Sequence, residues 1–346
     1  MMVTSGEALD LRIGDPKEAR TFLPVGWAAG ALNDRRDTVF VQLMLLCAPL
    51  VALGVALFFV DRGFWYLAAV YWLYYAVCLL DRFVLMLHCT SHRPLFRPRF
   101  RKLNLIIPWV LGPFLGQTPE TYFVHHIGMH HPAGNSLADA SSTMKYRRDR
   151  FDHWLRYVGR FQLLGVVDVL RYLRRLRSRR LVVRFVRGEL LFWLTAIVLA
   201  TVSLRATLVV FVVPALVVRV LMMMGNWAQH AFVCPTDPAN PYRNSIVCIN
   251  TRYNRRCFND GYHINHHVAP RRHWTEYPAE LEANLPRYGA EDAIVFRGID
   301  YFEIWLNLML RRWHTLARAF VRLPNAPHRT DAEVIALLQH RLAPFR

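Results

Sequence analysis

Ten side chains in this 346-residue chain have the type and spacing to share metal ions. They fall in four groups: His88 and His92; His126, His130 and His131; Asn226 and His230; and His263, His266 and His267. Separations of three and four residues stack side chains on one face of a helix, close enough to bind a common ion. Neutral imidazole serves Fe, Zn, Cu and Ni, so the ligand type leaves the metal open. Nine histidines exceed what one ion takes, roughly four to six ligands, and two ions are the natural count. Taken singly, the His88/His92 pair suits a surface or structural role, and Asn226 with His230 suits a polar exit from a bilayer. His125 offers an alternative to His126, although its spacing to His130 fits one helical face less well.

The groups gain meaning from what precedes them, because each follows a hydrophobic segment. Thr38 to Val60, TVFVQLMLLCAPLVALGVALFFV, is uncharged and long enough to cross about 30 Å of hydrocarbon. A second span starts at Phe64 and continues through Asp81 and Arg82 into FVLMLHCTSH, which projects His88 and His92 beyond the membrane. Glu189 to Leu204 and Ala206 to about Met224 read as a second pair around Arg205. The predicted spans are 38–60, 64–87, 189–204 and 206–227. The expected fold class is therefore an all-α integral membrane protein, with four transmembrane helices in two hairpins and a cytosolic helical cap that holds the metals.

Charge supplies the orientation. Residues 93–188 carry nineteen Lys or Arg, against Arg62 and Arg205 alone in the two short turns. The positive-inside rule then places both termini, the long loop and every histidine group in the cytosol. Polar residues near membrane depth are costly unless used. A net charge of +18 and a pI near 10.2 would by themselves suit nucleic acid. Here the basic residues flank apolar spans, so lipid headgroups are the expected partner and nucleic acid is not.

Three units follow: a cytosolic tail at 1–37, a histidine-bearing membrane domain at 38–280, and a cytosolic helical region at 281–346. Residues 103–116, LNLIIPWVLGPFLG, are too short to span and contain two prolines, which suits a re-entrant or interfacial segment. Lys145 to Arg187 interleaves arginines with Trp154, Leu155, Phe161, Leu173 and Leu176, as an amphipathic helix on an anionic membrane surface would. Residues 298–322 read as a further amphipathic helix, and Thr330 with Asp331 as the cap of a last one. The six cysteines form no CxxC pair, which argues against a disulfide scaffold or zinc ribbon. The N-terminus has no basic start followed by an apolar run, so no cleavable signal peptide is expected.

HCTSH, HHIGMHH and HINHH resemble the three histidine boxes of the membrane fatty acid desaturase and hydroxylase superfamily. HHVAPRRHWTEYP resembles the end of its third box, and NWAQH the additional Asn and His on its last span. The resemblance runs from about Thr38 to Pro278. It implies two non-haem irons, O2 as co-substrate, and attack on an alkyl chain. It also implies His88, His92, His126, His130, His131, His230, His263, His266 and His267 as iron ligands, with Asn226 acting directly or through water. Two departures stand out. Cys89 sits where many members carry an acid, and the second box has three residues between histidines where many desaturases have two. The wider spacing also occurs in the alkane hydroxylase branch, so desaturation and hydroxylation both stay open.

An unactivated C–H bond requires a metal oxidant, since side chains cannot supply one. Acids are expected to orient the ligand rings, with Asp260 the first choice and Asp81 and Glu276 as further candidates. No fused haem domain is expected. Electrons then come from a separate donor such as a ferredoxin, a rubredoxin or a cytochrome b5-type protein attracted to the basic face. The expected reaction is O2-dependent desaturation of a fatty acyl chain, whose headgroup would lie near basic residues. Hydroxylation of an alkyl chain or related lipid is the alternative. A non-catalytic metal transporter or binder would instead line a mid-membrane path with ionisable groups.

Overall fold

The structure, a computed structural model, describes residues 11–345. In chain order its main elements are α1 (Arg35–Ala56), α2 (Phe64–His92), α3 (121–133), α4 (Phe151–Arg175), α5 (Arg179–Val202) and α6 (Leu204–Gln229). Then come β1 (Ile246–Ile249), α7 (His263–Val268), α8 (Tyr277–Ala290), β2 (Ile294–Arg297), α9 (Tyr301–Met309), α10 (Trp313–Ala319) and α11 (Asp331–His340).

Helices α1, α2, α5 and α6 are long and apolar enough to cross a membrane. Their outward faces leave Leu73, Val77, Leu194, Ile197 and Val198 exposed, as lipid rather than water would favour. Trp65 and Tyr66 stand exposed at the start of α2, where interfacial aromatics gather. The chain joins α1 to α2 and α5 to α6 through short connections. Arg205 pairs with Asp61 and lies 4.4 Å above the Phe64 ring, so these two connections meet at one end of the bundle.

Helix α2 has 29 residues, about 43 Å at 1.5 Å per residue, and overshoots a bilayer. The excess carries His88 and His92. A π turn at Tyr75–Leu79 inserts a residue and rotates that last part of the helix.

Several boundaries depart from expectation for local reasons. The third span begins at Arg179, ten residues before Glu189, because nothing between Ser178 and Gly188 breaks a helix. The basic tract is consequently two helices, α4 and the start of α5, separated where Arg177 turns left-handed at φ 53°. Residues 298–322 likewise divide into α9 and α10 around Arg311 at φ 51°. Thr330 caps α11 through a capping box with Glu333, as expected. The described residues are mostly helical, with one short two-stranded sheet besides. Two four-residue runs rich in β-branched side chains pair in parallel, Ile246 with Ile294 through Ile249 with Arg297. They are too short to carry a clear periodicity in the sequence.

Of the soluble tail expected at 1–37, residues 1–10 lie outside the described residues, and within 11–37 Ile13, Asp15, Val25 and Asp37 are buried. Residues 103–116 form no fifth span. They turn against the bundle, where Phe114 and Leu115 carbonyls accept from Tyr71 and Tyr75 hydroxyls at 2.8 and 3.1 Å.

Helix α3 carries the second histidine group and is wedged into the bundle. The segment before it crosses α5 so closely that a Cβ on Gly188 would lie 1.7 Å from the Pro119 carbonyl oxygen. Buried Glu189 then accepts from Thr118 and Thr121 hydroxyls at 2.6 and 2.7 Å and from Arg219 of α6 at 3.1 Å. This paired and hydrogen-bonded carboxylate ties α3, α5 and α6 together.

Candidate metal centre

The four histidine groups converge. His88 and His92 of α2, His126 of α3 and His266 of α7 place ring nitrogens within 4.8 Å of one another. His130 of α3, His230 just after α6, and His263 and His267 of α7 form a second such set. His131 Nε2 lies 3.1 Å from His126 Nε2 and 2.9 Å from His266 Nε2, which adds it to the first set. All nine histidines singled out in the sequence are thus brought together.

The wide spacing of the second group has a structural cause. His126–His130 is a π turn, in which residues five apart stack as residues four apart do in an α-helix. His126 therefore meets His131, and His130 turns away to the other set. His125 joins neither set. Its ring packs edge-on against Phe161 at 5.4 Å, and its Nε2 is buried without a hydrogen-bond partner.

Outer hydrogen bonds set the tautomers. Nδ1 of His88 faces Asp260 Oδ1 at 3.2 Å, and Nδ1 of His130 faces Asp139 Oδ2 at 2.7 Å. Nδ1 of His230 faces the Asn244 backbone oxygen at 3.0 Å and its Oδ1 at 2.8 Å. All these partners accept, so the three rings carry their protons on Nδ1 and turn lone pairs inward at Nε2. His88 Nε2 then lies 2.9 Å from His266 Nε2, and His230 Nε2 lies 3.1 Å from His263 Nε2.

Protonation does not relieve this crowding. Burial first, and neighbouring imidazoles second, hold His126, His263, His266 and His267 well below the usual histidine range. The same causes push His131 down to about 2. Neutral, convergent, buried imidazoles with three of their far nitrogens anchored could hold metal, and the donor set fits two ions.

Asp260, beside His88 through one oxygen, accepts on the other from Gln229 at 3.2 Å and Tyr253 at 2.8 Å. Asp81 and Glu276 do not reach a ligand ring; they pair with Arg256 and Arg36. Asp139 and Asn244 were not singled out, and nothing in their sequence surroundings marks them. Burial would raise the Asp139 carboxyl, but His130 and the Ser141 hydroxyl hold it well below the usual carboxylate range. Asn226 donates its amide to the Ser141 carbonyl at 2.8 Å and the Tyr157 hydroxyl at 2.7 Å. Asn226 also lines the cavity that His130 and His263 line.

A third cluster, Asp34, Asp37 and His273, has a different character. Arg36 and Arg93 each bond Asp34 at 2.7 Å, and His273 Nδ1 accepts from the Thr275 amide, leaving Nε2 to donate to Asp37 at 3.1 Å. It is an ion-pair network.

The sequence model of the family described as Fatty acid desaturase matches residues 63–297, more than half of the chain. The chain belongs to the fatty acid desaturase family. No curated protein and no solved structure matches it.

Membership of the fatty acid desaturase family makes the chain an oxidoreductase of the desaturase type, and its four apolar helices fit an integral membrane protein. A cavity of about 270 Å3 lies between α2 and α6, walled by Leu80, Val84, Leu221 and Met222. It reaches His88 and His126 of the first set and His130 and His263 of the second. Its lining also includes Asp81, Asp300 and the half-exposed Phe302. Among the described residues no Lys or Arg lines it, so basic residues near a substrate headgroup would have to stand outside the mouth.

Proposed function

We propose that this family member uses O2 and two irons to remove two hydrogens from a fatty acyl chain within the membrane. The observation that carries the reading is the meeting of two adjacent imidazole sets with the end of an apolar cavity. The overall change oxidises a CH2–CH2 unit to CH=CH and reduces O2 to two waters. It consumes two electrons and two protons from outside the chain.

The first set, His88, His92, His126, His131 and His266, would hold one ion. His130, His230, His263 and His267 would hold the other, with Asn226 beside them. Two irons in such a site supply an oxidant strong enough for an unactivated C–H bond. The residues of the chain do the rest. Asp260, Asp139 and Asn244 fix the rings that face the metals. Leu80, Val84, Leu221 and Met222 exclude water and align an extended alkyl chain with both sets.

The charge distribution supports a cytosolic placement of the centre and both termini. It also supports a separate acidic or b5-type electron donor on the basic face. Hydroxylation of the alkyl chain is the second reading, favoured by the three-residue gap of the second histidine group. The two reactions share every residue named here and differ in product.

Expression in a heterologous host, with mass spectrometry of total fatty acids and localisation of any new double bond, tests the proposal. A double bond supports desaturation, and an alcohol supports hydroxylation. Purified protein holding one zinc or no metal, together with full activity in the His263→Ala variant, would sink both.

A further inference from the structure

We propose that residues 11–37, which lie upstream of the region matched by the family, are a clamp that sets the third histidine group. Asp15 is its positioning residue and acts on His263, His266 and His267 through Tyr262. The inference rests on the di-metal reading of the site.

Helix α7 has six residues, and its N-cap, Tyr262, provides no side-chain cap. A helix this short has little stability of its own, so its direction depends on what anchors the chain before and after it. On both sides the N-terminal segment supplies part of that anchoring, beside bonds from Cys248 and Asn254 to Gly261 and from Tyr301 to the Asp260 carbonyl.

Before α7, buried Asp15 accepts three hydrogen bonds on one oxygen: from the Asn250 amide at 2.7 Å, Asn254 Nδ2 at 3.0 Å and the Tyr262 hydroxyl at 2.7 Å. Asn250 is bonded further to Gly14 and Arg12 backbone groups at 2.7 and 2.8 Å. Asn259 Nδ2 donates to the Pro16 carbonyl at 2.7 Å. These ties fall on a demanding bend, since Asn250, Phe258 and Asn259 all have left-handed backbones at φ 58°, 52° and 52°. Such conformations persist when surrounding contacts over-determine them. A Cβ on Gly261 would lie 2.4 Å from the Cys248 carbonyl oxygen, so the bend also has no room to slide along β1.

After α7, Arg36 bonds Thr275 and Glu276 at 3.2 and 2.7 Å, and His273 donates to Asp37. The six residues carrying three ligands are therefore gripped on both sides by one upstream segment. Tyr262 is adjacent to His263, so a shift of its ring moves the first ligand directly. Losing Asp15 would leave three donors without their acceptor in a buried place, and the bend would have to open to satisfy them.

The test uses full-length, iron-loaded protein in detergent, with iron per chain and the rate of iron release to a chelator as readouts. Size-exclusion profile and helical content monitor the fold. Asp15→Ala is expected to release iron about 10–100-fold faster than the unaltered chain, the range for outer partners of metal ligands. Tyr262→Phe removes only the hydroxyl and is expected at the lower end of that range. The Asp15→Ala/Tyr262→Phe pair should be no worse than Asp15→Ala alone, because the one bond that Tyr262→Phe removes is already lost with Asp15. Asp15→Asn keeps an acceptor oxygen and should recover part of the retention. Lys17→Ala, which breaks only an exposed pair with Glu282, should leave release unchanged. If Asp15→Ala misfolds, Tyr262→Phe decides alone. Unchanged release in the folded variants, from a chain that holds two irons, overturns the clamp and leaves the di-iron reading standing. An unaltered chain that holds no iron overturns both.

Discussion

The first histidine set takes His88 and His92 from one long helix and its other rings from α3 and α7, whereas no member of the second set lies on a membrane-length helix. His88 and His92 lie four residues apart on α2, whose course is maintained by its own backbone hydrogen bonds. His130, His230, His263 and His267 come from a π turn, a residue just past α6, and the short α7. The outer contacts differ in the same sense. Asp260 serves one ring of the first set, while Asp139 and Asn244 anchor two rings of the second from the loops at 134–143 and 234–245. Ligands on a long helix are ordered by local structure, and ligands gathered from loops are ordered only by tertiary contacts.

Removing a ligand from either set should have the largest effect. His266→Ala and His263→Ala are each expected to lose activity by more than about 100-fold, beyond the usual cost of losing an outer partner. Iron analysis should show one ion lost first from the set that was altered, and equal loss from both would argue that the sets are not separate. Asp139→Ala should come next. Its carboxylate is wholly buried, faces His130 at 2.7 Å and also accepts from the Ser141 amide and hydroxyl. About a hundredfold loss of iron affinity in the second set is expected, read by competition with a chelator.

Asp260→Asn should cost less, about tenfold, because the amide oxygen can still accept from His88 and α2 itself keeps that ring in place. A larger effect at Asp260 than at Asp139 would reverse the contrast drawn between the sets. Gly188→Ala should separate them least. The added methyl meets the Pro119 carbonyl on the approach to α3, which supplies ligands to both sets. A loss of about 1–3 kcal/mol in stability is expected from such overpacking, measured by thermal unfolding, with iron lost from both sets alike.

The candidate ligands, though not their division into two sets, are legible in the sequence. The histidine spacings, the apolar runs before them and the capping residues Thr330 and Asp331 act locally, over one or two helical turns, and their consequences follow from local rules. The same holds for Asp260, three residues from His263 in sequence. Where sequence reading went astray, the deciding contact was distant. The N-terminal segment reads as a soluble tail because it holds no apolar run long enough to span, yet Asp15 bonds residues more than two hundred positions away. Asp139 and Asn244 carry no mark distinguishing them from other loop polar residues. The two strands were hidden because four residues are too few for a period.

The sequence by itself determined that nine imidazoles follow apolar segments at helical spacings, and that four of those segments are long enough to span a bilayer. Those properties depend on residue type and on neighbours within about one turn of helix. Only the tertiary structure decided which histidine shares a set with which. The π turn in α3 sends His126 and His130 to different sets, and the clamp at Asp15 aims α7 between them. The clamp depends on contacts between segments far apart in the chain, where no spacing rule reaches.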